Sequence, residues 1–164
     1  MGIPLKNRRW IIYLSFFFLM ASMSVLKYHN LHALYLDLGG FLNSFFQISE
    51  GDWTRLFLSH TQPLLYAGSV LYKVFPGDWV PVIVLCSQSA LLCLPVLGLY
   101  RYYGTTPTLA FCLYFPVWYS GLSDFHPDHL AVPILFSFFF LEKQGKLWQA
   151  VFAGVVLALV KETF

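Results

Sequence analysis

Residues 80–100, VPVIVLCSQSALLCLPVLGLY, form an apolar run of the chain that contains no charged side chain. A bilayer core of about 30 Å is crossed by roughly 20 helical residues, so this run is long enough to span it. The composition of the whole chain is also strongly apolar, because 58% of its 164 residues are hydrophobic and only 11% are charged. A soluble domain of this length could not bury so much apolar surface. The sequence therefore predicts an integral membrane protein.

Other apolar runs flank this one on both sides, and we predict that they also cross the membrane: 10–26, 107–122, 130–141 and 147–160. The first has the length of a crossing, whereas the last three are shorter than one. Basic residues before the first run resemble the start of a signal peptide, but because more runs follow, we expect a retained helix. The predicted fold is a single all-α integral membrane domain over residues 1–164, with about five transmembrane helices.

The basic residues near the ends of these runs set the expected orientation. If five spans are counted, residues 1–9 and the loops at 101–106 and 142–146 share one side, with six Lys and Arg side chains and one acid. That side is expected to be cytoplasmic, which includes the N-terminus. All five histidines and seven of the eight carboxylates then lie on the outer side. The outer face is therefore where we expect a functional site.

The predicted outer loop, residues 27–79, contains two helical patterns that we expect to lie at the membrane interface. The first has apolar residues at spacings of three and four, as in an amphipathic helix: Leu31, Leu34, Leu38, Phe41 and Phe45. The second, PLLYAGSVLYKVF at 63–75, is interrupted by Gly68 and Lys73. Asp37 lies at the edge of the first pattern, before Gly39-Gly40, which are expected to loosen or break the helix. Asp37 could be a catalytic base or a solvated surface residue.

The segment SDFHPDHLAVP, residues 123–133, places two acids and two histidines between apolar runs: Asp124, His126, Asp128 and His129. Pro127 suits the first turn of a helix, and an acid after it is favoured by the helix dipole. The two histidines with Asp124 or Asp128 could ligate a divalent metal, although the spacing is loose and no cofactor is certain. A polar cluster that lines a substrate pocket is the reading we favour.

Lys161 and Glu162 follow the last apolar run, and their predicted depth is unusual for charged residues. From Lys146 to Lys161 a helix rises roughly 22 Å, less than the ~30 Å of a bilayer core. Ionisable groups below the membrane surface are costly, so they usually pair or serve function. These two residues could pair with each other, or Lys161 could bind a lipid phosphate.

Five short motifs in this chain share their order and spacing with those of a known family: DLGGFLN at Asp37, HTQP at His60, Gln88 within a span, DFHPD at Asp124 and VKET at Lys161. The chain thereby resembles the multi-pass bacterial membrane proteins grouped as domain of unknown function 2079, with the pattern DLGIFDQ, HFSP, a glutamine, DFHPE and VKED. It departs from that pattern at Leu42, Asn43 and Thr163. The likeness extends from about Tyr35 to the last residue, and it implies the bacterial inner membrane.

That family is distantly similar to the GT-C glycosyltransferases, which use polyprenyl-phosphate sugars. The resemblance implies that Asp37 acts as a general base toward an acceptor hydroxyl on the extracytoplasmic face, with inversion at the anomeric carbon. The expected partners are membrane lipids and a polyprenyl-phosphate-linked sugar. It further implies that Lys161, with His126 or His60, stabilises the departing lipid phosphate, and that Asp124 and Glu162 orient those cations or bind sugar hydroxyls.

Proteins of this type continue with further spans, so we expect this chain to be the N-terminal part of a longer protein that is inactive alone. Two other classes of function remain open. A secondary transporter would use the charged pair at 161–162 as an ion relay. A non-enzymatic scaffold would bind metal through the histidines. Nucleic acid is not an expected partner, because the net charge is only +2.

Overall fold

The computed structural model describes residues 5–30, 37–56 and 65–160, and these residues form helices with no β-strand among them. The all-α prediction is therefore confirmed for this part of the chain. Short 3₁₀ turns cover Trp53–Leu56, Gly77–Trp79 and Pro127–Leu130. The α-helices are, in chain order, α1 (Leu5–His29), α2 (Asp37–Ser49), α3 (Leu65–Val74), α4 (Val80–Cys93), α5 (Pro95–Tyr103), α6 (Thr105–Leu113), α7 (Phe115–Leu122), α8 (Ala131–Lys143) and α9 (Leu147–Val160).

Two helical stretches are long and apolar enough to cross a membrane by length and composition, Asn7–His29 and Gly77–Tyr103. They contain the first two predicted spans. The second stretch comprises α4 and α5, which are separated at Leu94 because Pro95 has no N–H to continue the helical hydrogen bonds. Helices with these properties also occur in soluble cores and in signal sequences, so length and composition alone identify candidates for crossing.

The predicted span at residues 107–122 is not a single helix. Pro116 cannot donate a hydrogen bond to the Cys112 carbonyl four residues earlier, and its ring disfavours a continuous helix there. Tyr114 is extended, which separates α6 from α7. The freed Cys112 carbonyl accepts a hydrogen bond from the Trp118 indole Nε1 at 2.6 Å. The break is therefore satisfied within the chain.

The remaining helices are also too short for a full crossing. Helices α6 and α7 have 9 and 8 residues, and α8 and α9 have 13 and 14. At about 1.5 Å per residue, none of them rises the ~30 Å of a bilayer core. The prediction of five spans is therefore not confirmed by the described residues. Helices α8 and α9 instead form an antiparallel hairpin, turned at Gly145 with φ of 70°.

Helix α2 has the apolar face that its sequence predicts, with Leu38 and Phe45 buried. It begins at Asp37 and continues through Gly39-Gly40, so the predicted break there is wrong. Each glycine costs a helix only about 1 kcal/mol, which burial of the apolar face outweighs. Helix α3 packs on α2, where a Cβ added at Gly68 would lie 2.5 Å from the Phe45 ring. That close approach requires glycine.

The two ends of the helical bundle differ in charge. At one end, the C-terminus of α1 and the start of α4 meet residues 123–130, which carry the predicted acids and histidines. At the other end, Lys143 Nζ lies 4.1 Å from the centre of the Tyr103 ring. Arg101 belongs to this second end, near the end of α5. The basic loops of the predicted cytoplasmic side are thus remote from the histidine-containing segment.

Candidate functional site

A lysine near the end of α1 holds the segment that follows α7. Lys27 Nζ donates a hydrogen bond to the Leu122 carbonyl at 2.8 Å and lies 3.6 Å from Asp124 Oδ1. Leu122 is the last residue of α7, where a carbonyl lacks a helical donor, so a cation there is favourable. The side chain of Asp124 is 3% exposed and that of Lys27 is 32% exposed. A carboxylate so deeply buried requires a positive partner, which Lys27 supplies.

His126 and Asp128 form a second polar contact on the same segment. His126 Nδ1 lies 3.2 Å from Asp128 Oδ2 and 3.4 Å from the Asp128 backbone N, from which it accepts a hydrogen bond. The imidazole therefore caps the 3₁₀ turn that begins at Pro127. The position of Pro127 in the first turn was predicted, whereas the cap by His126 was not. Both side chains are about one-third exposed. They are accessible to a ligand, in contrast to Asp124.

His129 is a neutral member of the cluster. Burial, with a smaller effect from His126, lowers the pKa of His129 to about 4, although Asp128 partly opposes this. Its Nε2 lies 3.4 Å from the Ser123 hydroxyl oxygen. The imidazole can therefore donate or accept a hydrogen bond at neutral pH, but it does not supply a positive charge there.

Asp37 lies beside this segment rather than within it. It is exposed at the first residue of α2, and Phe41 follows one turn later on the same side of the helix. The Phe41 ring contacts His126 and Phe125 edge-on, with ring centres 5.3 Å and 5.7 Å apart. The start of α2 is thereby fixed next to the histidine-containing segment.

The predicted site residues thus divide into two groups. The structure brings together Asp124, His126, Asp128 and His129, with Asp37 one helical turn from a residue that touches them. Other predicted residues lie outside the described part of the chain: His60, Lys161 and Glu162. Helix α9, which precedes Lys161, packs against the Pro127–Leu130 turn.

Lys27 is a functional candidate that the local sequence patterns do not indicate. Its contacts join residues 95 and 97 positions apart, so no local pattern contains them. The available signal was a lone lysine in the last turn of a long apolar helix, where a charge near lipid usually has a partner.

The described residues contain no group of three or more His, Cys, Asp and Glu side chains that could hold a metal ion. The metal candidates Asp128 and His129 are both in the cluster, and the rings of His126 and His129 are 6.3 Å apart. His126 directs its Nδ1 toward Asp128 instead. The polar contacts that the structure shows within the cluster are those of His126 with Asp128 and of His129 with Ser123.

Two apolar cavities adjoin the cluster. A cavity of about 190 Å³ lies between α2, α3, α4 and the segment that contains Phe125. A larger groove of about 560 Å³ lies between α4, α8 and α9. Leu91 and Leu130 line both, so the two spaces are neighbours. Gln88, a motif residue for which the resemblance implies no role, lines the smaller cavity and is 1% exposed.

No protein-family model, curated protein or solved structure matches this chain. The resemblance to the family of domain of unknown function 2079 therefore stays a prediction, and so does the glycosyltransferase activity that it implies.

Proposed function

We propose that this protein is an integral membrane glycosyltransferase of GT-C type, which moves a sugar from a polyprenyl-phosphate donor to an acceptor on the extracytoplasmic face. One observation carries the proposal: Lys27, Asp124, His126 and Asp128 gather at one end of the apolar helices, beside the helix that begins at Asp37. Charged and hydrogen-bonding groups at the border of an apolar bundle suit a substrate with a polar phosphosugar and a lipid tail.

The distribution of exposed apolar side chains supports a membrane location. Large side chains on several helices face outward, including Phe115 at 72% exposed and Trp148 at 84% exposed. Soluble monomers rarely expose extended apolar surface of this kind, because it favours association or contact with lipid. Together with the two helices long enough to cross a bilayer, this surface is most simply covered by lipid.

The charge difference between the ends supports the proposed orientation. Arg101 and Lys143 lie at the end opposite to the cluster, as expected if that end is cytoplasmic. With the N-terminus in the cytoplasm, the cluster would lie on the outer face of the bacterial inner membrane. A polyprenyl-phosphate sugar presented on that face would meet the cluster at the membrane border.

In the proposed reaction, Asp37 accepts the proton of the acceptor hydroxyl as its oxygen attacks the anomeric carbon. The bond between that carbon and the phosphate oxygen breaks, and polyprenyl phosphate leaves with the bonding electrons. Attack opposite to the leaving group inverts the anomeric centre. The exposed part of Lys27, with Lys161, offers positive charge to the departing phosphate, whereas Asp124 keeps Lys27 in place.

The experiment that tests this proposal is profiling of lipid-linked sugars and glycans in cells that express the full-length gene. Asp37→Asn and Lys161→Ala should each abolish a glycan product or make a sugar-lipid donor accumulate. The matched controls are Glu50→Gln, just after the C-terminus of α2, and Lys146→Ala, in the turn between α8 and α9, since both residues are exposed and neither is at the cluster end of its helix. All variants must reach the membrane fraction at equal levels.

Unchanged glycans and carriers in Asp37→Asn and Lys161→Ala would overturn the transferase proposal. Uptake of a labelled solute into proteoliposomes that depends on Glu162 would then favour a secondary transporter. A bound zinc or manganese ion that is lost when His126 and His129 are replaced would instead favour the scaffold.

A further inference from the structure

We infer that the cavity beside Gln88 binds the hydroxyl end of a long-chain, membrane-soluble alcohol. This site does not depend on the proposed glycosyl transfer. Asp37, at the start of α2, is about two helical turns from Phe45, which lines the cavity. The inference rests on the side chain of Gln88, on the apolar lining around it and on where the cavity opens.

Gln88 is a buried amide with an unused acceptor. Its Nε2 donates to the Ser120 carbonyl at 3.4 Å, whereas its Oε1 has no hydrogen-bond partner among the described residues. The opposite amide orientation is unfavourable, because the Ser120 carbonyl can only accept a hydrogen bond. A buried acceptor without a partner costs free energy, so a ligand that donates one hydrogen bond to it gains affinity.

The remaining lining requires that the rest of the ligand be apolar. Val84, Gln88 and Leu91 follow one face of α4, and Phe45, Phe125 and Leu130 close the other sides. Of the lining residues that the structure describes, Ser87 is the one other polar side chain, and it is exposed. A buried water normally needs two to four polar partners, which this lining does not offer. An alcohol needs only one acceptor for its O–H.

The size and opening of the cavity indicate a chain rather than a compact molecule. A cavity of about 150 Å³ can hold benzene, so about 190 Å³ accommodates a hydroxyl group and several methylenes. Leu91, which is 36% exposed, stands at the border with the larger groove between α4, α8 and α9. A longer chain can therefore continue past Leu91 and Leu130 into that groove. Since α4 belongs to a stretch that can cross a membrane, the alcohol would enter from lipid.

The test uses the purified full chain in lipid nanodiscs, with two photoactivatable probes: a diazirine-bearing hexadecanol and its methyl ether. The ether has the same chain but no O–H to donate. We expect the alcohol to label the peptide that contains α4 about tenfold more efficiently than the ether at equal concentration, because only the alcohol satisfies the buried acceptor. Unlabelled hexadecanol should compete with the alcohol probe.

Three variants test whether the labelling arises from binding in this cavity. Gln88→Leu should remove the preference for the alcohol, whereas Gln149→Leu, in the larger groove, should retain it. Leu91→Trp should block the passage and reduce labelling by both probes while Gln88 remains in place, so that the inference stays testable if Gln88→Leu does not fold. Equal labelling by alcohol and ether in the wild-type protein would overturn the inference. A preference that persists in folded Gln88→Leu, or full labelling of Leu91→Trp, would overturn it as well.

Discussion

A single methyl group added at Gly121 tests how closely α1 packs against α7. A Cβ at this position would lie 2.2 Å from the sulfur of Met20, which is fully buried. The sulfur would have to move by about 1.2 Å to restore a contact of 3.4 Å. Overpacking of this kind costs about 1–3 kcal/mol, against a gain of about 0.4–1 kcal/mol from replacing glycine. Gly121→Ala should therefore lower the free energy of unfolding by about 1–2 kcal/mol.

The assay is thermal unfolding of the detergent-solubilised protein, followed by tryptophan fluorescence. A loss of this size should lower Tm by about 2–8 °C for a chain of this length. The matched control is Gly154→Ala in α9, where the nearest atoms to an added Cβ are Phe138 carbons at 3.9 and 4.0 Å, an ordinary contact. That variant should be as stable as the wild type or more stable. If Gly121→Ala unfolds at the same temperature as Gly154→Ala, the described packing of α1 on α7 is wrong.

Three further changes probe the cluster and the helix break by the same thermal assay. Burial lowers the pKa of His129 to about 4, so the neutral imidazole should contribute fully to stability above about pH 6.5. That contribution should be lost as pH falls toward 4. His129→Gln should flatten the pH dependence of Tm, whereas the exposed His29→Gln should not. Trp118→Phe should cost about 1–3 kcal/mol, because the carbonyl at the break between α6 and α7 loses its donor; a stability equal to wild type would contradict that role. Lys27→Met should lower the free energy of unfolding by about 1–2 kcal/mol and Lys27→Arg by less, since Asp124 keeps a positively charged partner only in the arginine variant. Equal losses in both variants would mean that the charge of Lys27 does not stabilise the fold.

Local patterns in the sequence predicted the features that depend on neighbouring residues. The apolar face of α2 and the turn that begins at Pro127 follow from spacing and from the chemistry of proline. The first two long apolar helices follow from their length alone. These features need no information about residues far along the chain, which is why the sequence predicts them correctly.

The features that the sequence did not predict depend on distant partners or on which local effect dominates. The run at 107–122 was predicted to be one span, yet it divides into two helices before Pro116, and Trp118 supplies a donor for the freed Cys112 carbonyl. Gly39-Gly40 were expected to loosen or break α2, yet the helix is continuous there because burial of its apolar face outweighs their flexibility. The contact between Lys27 and Asp124 joins positions 97 residues apart, so it becomes visible only in the fold.

The division of one apolar run into α6 and α7 has a consequence for how the protein would be made. In a bilayer, a helix of 8 or 9 residues is too short to leave the translocon for lipid as an independent unit. These two helices would have to remain with α1, α4 and α5, which they contact, until the bundle is assembled. Those three helices are synthesised first, so α6 and α7 would insert against helices that are already in place. Membrane integration of truncated chains would then not increase in steps of one crossing per apolar run.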